Sequence, residues 1–158
     1  MSDFTVRAME TRDLAMVGQL AGRLVNLHHA YDAQRFMHLP NAAQGYARYL
    51  GTVLDDASTI VIVAERAGAV VGYVYARLEP RSYNDLIDAH GKLHDVYVDE
   101  SARTMGIGEA LVRETMRRMK ERGAPRMILA TAAQNEAAQR LFKRCGLRVT
   151  MLEMTVEL

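Results

Sequence analysis

Arg103-Thr104-Met105-Gly106-Ile107-Gly108 sets a cation and two glycines between a strand-like run, Leu93–Val98, and a helical pattern that opens at Ile107. The first N–H groups of a helix have no intrahelical partner, and the helix dipole places partial positive charge there. Glycine removes Cβ, so backbone can approach a ligand closely or adopt positive φ. Arg103 adds a fixed charge at the same end. This chemistry suits a phosphate or pyrophosphate. Two nucleotide signatures can be set against it. A dinucleotide fingerprint places its glycines after the first strand with an acidic residue about 20 positions on, whereas this turn comes late and leads into a basic helix. A Walker loop ends in Gly-Lys-Ser/Thr, which is absent here.

Other reactive side chains are placed by their surroundings. Cys145 falls on an apolar helical stripe with Ala138, Leu141 and Phe142, so it belongs to the core rather than to nucleophilic chemistry. His28, His29, Asp32 and His90 have no recognised metal-ligand spacing, and no metal is assigned. Ten methionines point to pliant packing.

The elements that position the glycine turn follow from hydrophobic period. Phe4, Val6 and Ala8 alternate as a first strand. Thr11 is placed to cap a helix whose stripe is Leu14, Val17, Leu20, Leu24 and Leu27, and a second helix follows Asn41 with Tyr46, Tyr49, Leu50 and Leu54 inward. Ile60–Ala64 and Val70–Leu78 form a hairpin about Ala67-Gly68. Pro80–Gly91 is polar loop, and Leu93–Val98 is the next strand. The helix from Ile107 carries Leu111, Val112, Met116 and Met119 and stops at Gly123 and Pro125. Met127–Ala130 reads as a strand buried on both faces. Asn135 caps a last helix that ends at Gly146. Leu152, Met154, Val156 and Leu158 then alternate with Glu153, Thr155 and Glu157 as a final strand with one wet face.

The chain has 158 residues, the length of one domain (1–158) with a core that needs no disulfide. Lys and Arg number 20 against 19 Asp and Glu, so no strong field points to nucleic acid or an anionic membrane surface. No apolar run reaches spanning length and no basic-then-apolar leader opens the sequence, so a cytoplasmic protein is expected.

RTMGIG matches the Arg/Gln-x-x-Gly-x-Gly/Ala signature of the GNAT superfamily of N-acetyltransferases. NEAAQRLFKRCGL resembles that family's second marker, Asn-x-x-Ala-x-x-Leu-Tyr-x-x-x-Gly-Phe. Both occur in the family's order, and the resemblance runs over essentially the whole chain. It implies an α/β GNAT fold: a mixed central sheet of six or seven strands flanked by about four helices, with splayed fourth and fifth strands. It implies acetyl-CoA as co-substrate and no metal. The turn Arg103, Thr104, Met105, Gly106, Ile107, Gly108 and Glu109 would cradle its pyrophosphate. Val96, Tyr97 and Val98 would line its pantetheine arm, and Asn135 would touch the pantetheine or cap its helix.

The same resemblance implies attack by a primary amine in a ternary complex. Deprotonating a lysine-like amine at pH 7 costs roughly 4.6 kcal/mol, against about 1 kcal/mol for an α-amino group. His94 stands where some members carry a glutamate base, and Asp95 at the family's acidic position. The family's acid is often the tyrosine of the second marker, here Phe142, so Tyr97, Tyr83, Tyr46 or Tyr49 would have to replace it. Acceptor contacts would come from among His28, His29, Asp32, Asp85, Asp88 and His90, of which His29, Asp32 and Asp85 are assigned to the substrate. The acceptor is a small-molecule or protein amine, and the last strand is available to a homodimer. The alternative is a non-catalytic acetyl-CoA-binding sensor of the same fold.

Overall fold

The computed structural model describes residues 3–158. Nine elements follow in chain order: β1 (Thr5–Ala8), α1 (Leu14–Tyr31), α2 (Ala42–Val53), β2 (Thr59–Arg66), β3 (Ala69–Glu79), β4 (His90–Val98), α3 (Ile107–Glu121), β5 (Met127–Ile128) and α4 (Glu136–Arg144). The sheet runs β1-β2-β3-β4-β5; its first three ladders are antiparallel and the β4–β5 ladder is parallel.

Side-chain alternation sorts the sheet into two faces. Ile60, Ile62, Ala64, Val74, Ala76 and Leu93 pack with Ile107, Leu111, Val112 and Met119 of α3 and Phe142 and Cys145 of α4. Val61, Val63, Tyr73, Tyr75 and Tyr97 turn the other way, onto Val17, Leu20 and Ala21 of α1 and Leu50 of α2. Both faces of β2 are therefore covered, which explains its unbroken apolar run. Each fully buried Leu or Ile contributes roughly 1.5–3 kcal/mol.

Small residues bring α1 and α2 together. A Cβ added at Gly18 would lie 2.4 Å from the Ala43 carbonyl oxygen, so this crossing tolerates no side chain there. At the start of α1, Asp13 rather than Thr11 organises the helix. Its carboxylate accepts the Glu10 N–H at 2.8 Å and is gripped through both oxygens by Arg7, which also holds Glu65 of β2.

Three further expectations change. The sheet has five strands, not six or seven. Residues 148–158 join no ladder despite their alternation, since alternation marks the two faces of an extended segment and does not by itself pair it with an edge. β5 is shorter than Met127–Ala130, since its pairing with β4 covers only Gly91–Met127 and Lys92–Ile128.

Candidate active site

The β4–β5 ladder ends where β4 bends. On β3, Tyr75 pairs with Asp95 and Ala76 with Leu93, which leaves His94 as an extra residue in a β-bulge. A bulge twists its strand and disrupts the ladder. Here it does two things. It parts β4 from β5, opening a notch, and it turns His94 and Asp95, though adjacent, toward the same face. Both meet tyrosines of the α1 side: the His94 ring stacks on Tyr75 with centroids 5.2 Å apart, and the Tyr73 hydroxyl donates to Asp95 Oδ2 at 3.2 Å.

The notch has a polar edge. Asp99 N–H bonds the Val71 carbonyl on β3 at 2.8 Å, so alternation directs the backbone groups of Val98 and Val96 to the opposite, open side. The Val98 carbonyl is already occupied: Arg103 Nε donates to it at 3.1 Å, with the guanidinium 5.5 Å from the centre of the Tyr97 ring. Tyr97 itself is buried in the α1-side core.

At the end of the notch stands the N-terminus of α3. Gly106 is its N-cap at φ 80°, and Thr104 also adopts positive φ, 68°. No side chain caps this helix. Among the described residues, the backbone N–H groups of Thr104 to Glu109 have no acceptor within the chain. The glycines serve different ends. Gly106 supplies a left-handed conformation, with open space where a Cβ would be. Gly108 lets α3 approach α4, because a Cβ there would meet Leu141 at 3.1 Å. Glu109 pairs with Arg113 at 2.8 Å.

The notch opens into a cleft of about 260 Å³. Leu24, Val25 and His28 of α1, Phe36, Met37 and Leu39 of the following loop, and Tyr46 of α2 form one wall. Leu93–Val96, the residues just beyond β5, and Asn135, Ala138 and Phe142 at α4 form the other. Burial raises the Asp95 pKa from its ordinary value, with the Tyr73 hydrogen bond opposing the shift. Burial, and then the negative charge of Asp95, raise the Tyr46 hydroxyl. Tyr75, buried and bonded to the Tyr49 hydroxyl at 2.7 Å, is pushed up to about 12.

Each wall presents an imidazole with one nitrogen committed. His94 Nε2 lies 3.1 Å from Glu79 Oε1. A carboxylate accepts, so Nε2 carries the proton and Nδ1 keeps a lone pair. His28 Nδ1 lies 2.9 Å from the Leu24 carbonyl, which by the same reasoning leaves its Nε2 as the acceptor.

His29, Asp32 and Asp85 are not brought to the cleft. His29 bonds the Phe36 carbonyl at 2.9 Å. Asp32 accepts the N–H groups of Gln34 and Arg35, a turn-forming role common for aspartate. Asp85 accepts Ser82 Oγ at 2.7 Å in the loop before β4. Asn135 caps α4, taking the Ala138 N–H at 3.1 Å, and also borders the cleft. Of the tyrosines named from sequence, Tyr46 lines the cleft, whereas Tyr83 projects into solvent. Glu79 and Tyr73 escape sequence reasoning, because their roles depend on the β3–β4 register and on the bulge that interrupts it. Among the described residues no cluster of His, Cys, Asp and Glu could hold a metal ion.

The model of the acetyltransferase (GNAT) family matches residues 23–147. A mycothiol acetyltransferase from Cellulomonas flavigena is 30% identical over 98 residues, which cover 59% of this chain and 28% of that protein. An N-alpha-acetyltransferase from Sulfurisphaera tokodaii is 32% identical over 100 residues, 60% of each chain. The chain thus spans about a quarter and about three fifths of the lengths of these two relatives. The solved aminoglycoside N-acetyltransferase AAC(6')-Iy in complex with CoA superposes with a TM-score of 0.79 at 18% identity, covering 100% of this chain and 96% of that one. Glucosamine-6-phosphate N-acetyltransferase from Arabidopsis thaliana superposes at 0.71 and 18% identity, over 98% and 97%. At these identities the structural likeness speaks for the fold, while the family match spans the turn, the notch and the cleft alike. The chain belongs to the acetyltransferase (GNAT) family.

Proposed function

We propose that this chain transfers the acetyl group of acetyl-CoA to a primary amine, directly and within a ternary complex. The observation that carries the reading is the row of unpartnered N–H groups from Thr104 to Glu109, standing at one end of an open β4 edge whose other end is the cleft. A pyrophosphate fits the first and an extended amide-bearing arm fits the second, as an added strand. The CoA in the AAC(6')-Iy complex supports this use of the fold.

Acetyl-CoA supplies a thioester open to attack by an unprotonated amine. The chain's own groups must hold that amine and move its protons. Among the described residues Asp95 is the one carboxylate bordering the cleft, and it attracts the incoming ammonium. His94 Nδ1 accepts the proton that the amine must lose, while Glu79 fixes the orientation of the ring through Nε2. Tyr46 keeps its proton at neutral pH and serves as donor to the departing thiolate, the part that Phe142 is unable to play. The new C–N bond replaces the C–S bond, and the products are an amide and a free thiol.

The lining also bears on the acceptor. One carboxylate stands among Leu24, Val25, Phe36, Met37 and Leu39, which favours an amine with a single positive charge and an apolar body over a polycation. The relatives named for mycothiol and N-alpha acetylation, and the neighbours named for aminoglycoside and glucosamine-6-phosphate, differ among themselves in acceptor.

Coenzyme A release with a panel of monoamines, polyamines, aminoglycosides and peptide N-termini tests the proposal. Intersecting initial-rate lines are expected with a productive acceptor; parallel lines would instead indicate an acetyl-enzyme. A second reading, an acetyl-CoA sensor, is favoured by one observation, the phenylalanine at the position of the family's tyrosine. Binding of acetyl-CoA by calorimetry with no turnover of any amine would establish it in place of the enzyme.

A further inference from the structure

Glu79 is the last residue of β3, and it reaches His94 on the next strand through a long, partly exposed side chain. Such a side chain samples many rotamers unless a neighbour selects one. Arg77 stands on the same face of β3, one pleat earlier. Its Nε lies 3.9 Å from Glu79 Oε1, the same oxygen that faces His94 Nε2 at 3.1 Å. That oxygen therefore sits between a guanidinium and an imidazole. Arg77 is itself held from the far side. Its Nη2 donates to Ser58 Oγ at 3.1 Å and lies 3.6 Å from Asp56 Oδ2. Ser58 gives its one hydroxyl proton to Asp56 Oδ1 at 2.7 Å, which leaves a lone pair for Arg77. Asp56 also accepts the Ser58 N–H at 2.8 Å, and the Ser58 carbonyl accepts the Leu78 N–H at 2.7 Å, so the segment before β2 is tied to β3.

We propose that Arg77 is a positioning residue for acetyl transfer: acting through Glu79, it holds the His94 ring by Nε2 and leaves Nδ1 free to accept. The inference rests on the reading of His94 as the base. Neither Arg77 nor Glu79 borders the cleft, so neither touches the reacting groups. Partly exposed ion pairs of this kind add little stability, and what the array supplies is orientation. The nitrogen of an imidazole that carries the proton is set by the bond its ring makes, and Arg77 secures the partner in that bond. Charge alone does not choose that partner. Lys92, opposite Arg77 in the β3–β4 ladder, brings a second cation to the same face and forms no ion pair among the described residues.

Arg77→Gln is expected to lower kcat about fivefold with a productive amine, leaving KM for acetyl-CoA within about twofold. The double variant Arg77→Gln/Glu79→Gln is expected to lose no more than Glu79→Gln alone, because one residue acts through the other. Lys92→Gln is expected to keep full kcat. A second readout needs no turnover. In nitrogen-edited NMR of the full chain, the His94 Nε2–H bonded to Glu79 is expected to give a slowly exchanging signal, assigned by its loss in His94→Gln. That signal is expected to broaden in Arg77→Gln and to persist in Lys92→Gln. Circular dichroism verifies folding; should Arg77→Gln not fold, Arg77→Lys, which cannot span Ser58 and Glu79 together, takes its place with the same expectations. A chain that acetylates no amine fails the acetyl-transfer reading, and the Nε2–H signal then decides the place of Arg77 by itself. Full kcat in Arg77→Gln, losses that multiply in the double variant, or equal losses in Lys92→Gln overturn the proposal. So does an Nε2–H signal that is missing from the unaltered chain or undisturbed in Arg77→Gln.

Discussion

Tyr73 donates its hydroxyl to Asp95 from the neighbouring strand, and this bond opposes the burial that raises the carboxyl's pKa. Asp13, bound by Arg7, is displaced the other way, below the usual carboxylate range. The two carboxyls therefore bear on stability with opposite sign. With its folded pKa raised, Asp95 adds stability at acid pH that is lost as pH rises through that pKa. Asp13 adds stability above the unfolded pKa near 4 that is lost as pH falls through its depressed value. Asp95→Asn is expected to raise the melting temperature at pH 7 and to give no gain at pH 3, while abolishing most acetyl transfer. Asp13→Asn strips the charge facing a half-buried Arg7 and is expected to cost roughly 3 kcal/mol at pH 7, shrinking toward pH 2. Thermal melts across pH distinguish the pair; equal behaviour of the two variants would refute the assignment.

The two glycines of the turn separate conformation from packing. Gly106→Ala forces a Cβ into left-handed backbone at a cost of about 1–2 kcal/mol, with no clash to relieve. Gly106→Asn, which tolerates that region, is expected to lose less than half as much. Gly108→Ala pushes on Leu141 and so shifts α3 against α4. All three variants are expected to fold, and the two alanine variants to weaken acetyl-CoA binding at least tenfold by calorimetry. Unchanged affinity in Gly106→Ala would remove the α3 N-terminus from the donor site.

The sequence carries the period of every helix and the long strands, because each buries a face that composition alone reveals. Ile60–Ala64, apolar throughout, and the stripe from Leu14 to Leu27 are cases where burial and pattern coincide. The turn is legible because RTMGIG stands between a strand and a helix and is followed, in the family's order, by NEAAQRLFKRCG. The bulge was not legible. Nothing in Leu93-His94-Asp95 says that one residue will go unpaired, and without that fact His94 and Asp95 would be assigned to opposite faces. His29 and Asp32 stand apart from the cleft for a related reason. Helical phase puts His28, one residue earlier, toward the cleft, and the helix end at Tyr31 frees Asp32 to organise a turn. Residues 148–158 fail differently, since their alternation describes two faces of an extended segment and not whether a ladder forms.

His94 and Glu79 form a dyad whose parts can be told apart. His94→Gln preserves the hydrogen bond to Glu79 but removes the proton acceptor, and kcat is expected to fall 10²- to 10⁴-fold with acetyl-CoA affinity unchanged. Glu79→Gln leaves the imidazole in place and removes the carboxylate that orients it. The expected loss in kcat is smaller, about tenfold, with acetyl-CoA affinity unchanged. His28→Gln serves as the comparison across the cleft. Should His28→Gln lose kcat and His94→Gln retain it, the base lies on α1 and not on the bulge.

Phe142 and Tyr46 face one cleft from opposite walls, and only one of them has a proton to give. Burial raises the Tyr46 pKa, so its hydroxyl is intact throughout the neutral range. Tyr46→Phe removes only an oxygen and is expected to lower kcat at least tenfold, with acetyl-CoA affinity within a factor of two. Phe142→Tyr places a hydroxyl on the α4 wall, where relatives are expected to carry theirs, at the risk of burying it unpaired at a cost of about 1–3 kcal/mol. In the double variant Tyr46→Phe/Phe142→Tyr, kcat is expected to recover at least threefold over Tyr46→Phe alone, measured by thiol release at saturating substrates. Recovery follows only if the reaction needs a proton donor at the thiolate and accepts it from either wall. If Tyr46→Phe retains full kcat, water or the ammonium nitrogen of the tetrahedral adduct supplies that proton, and positioning by the cleft carries the rate instead.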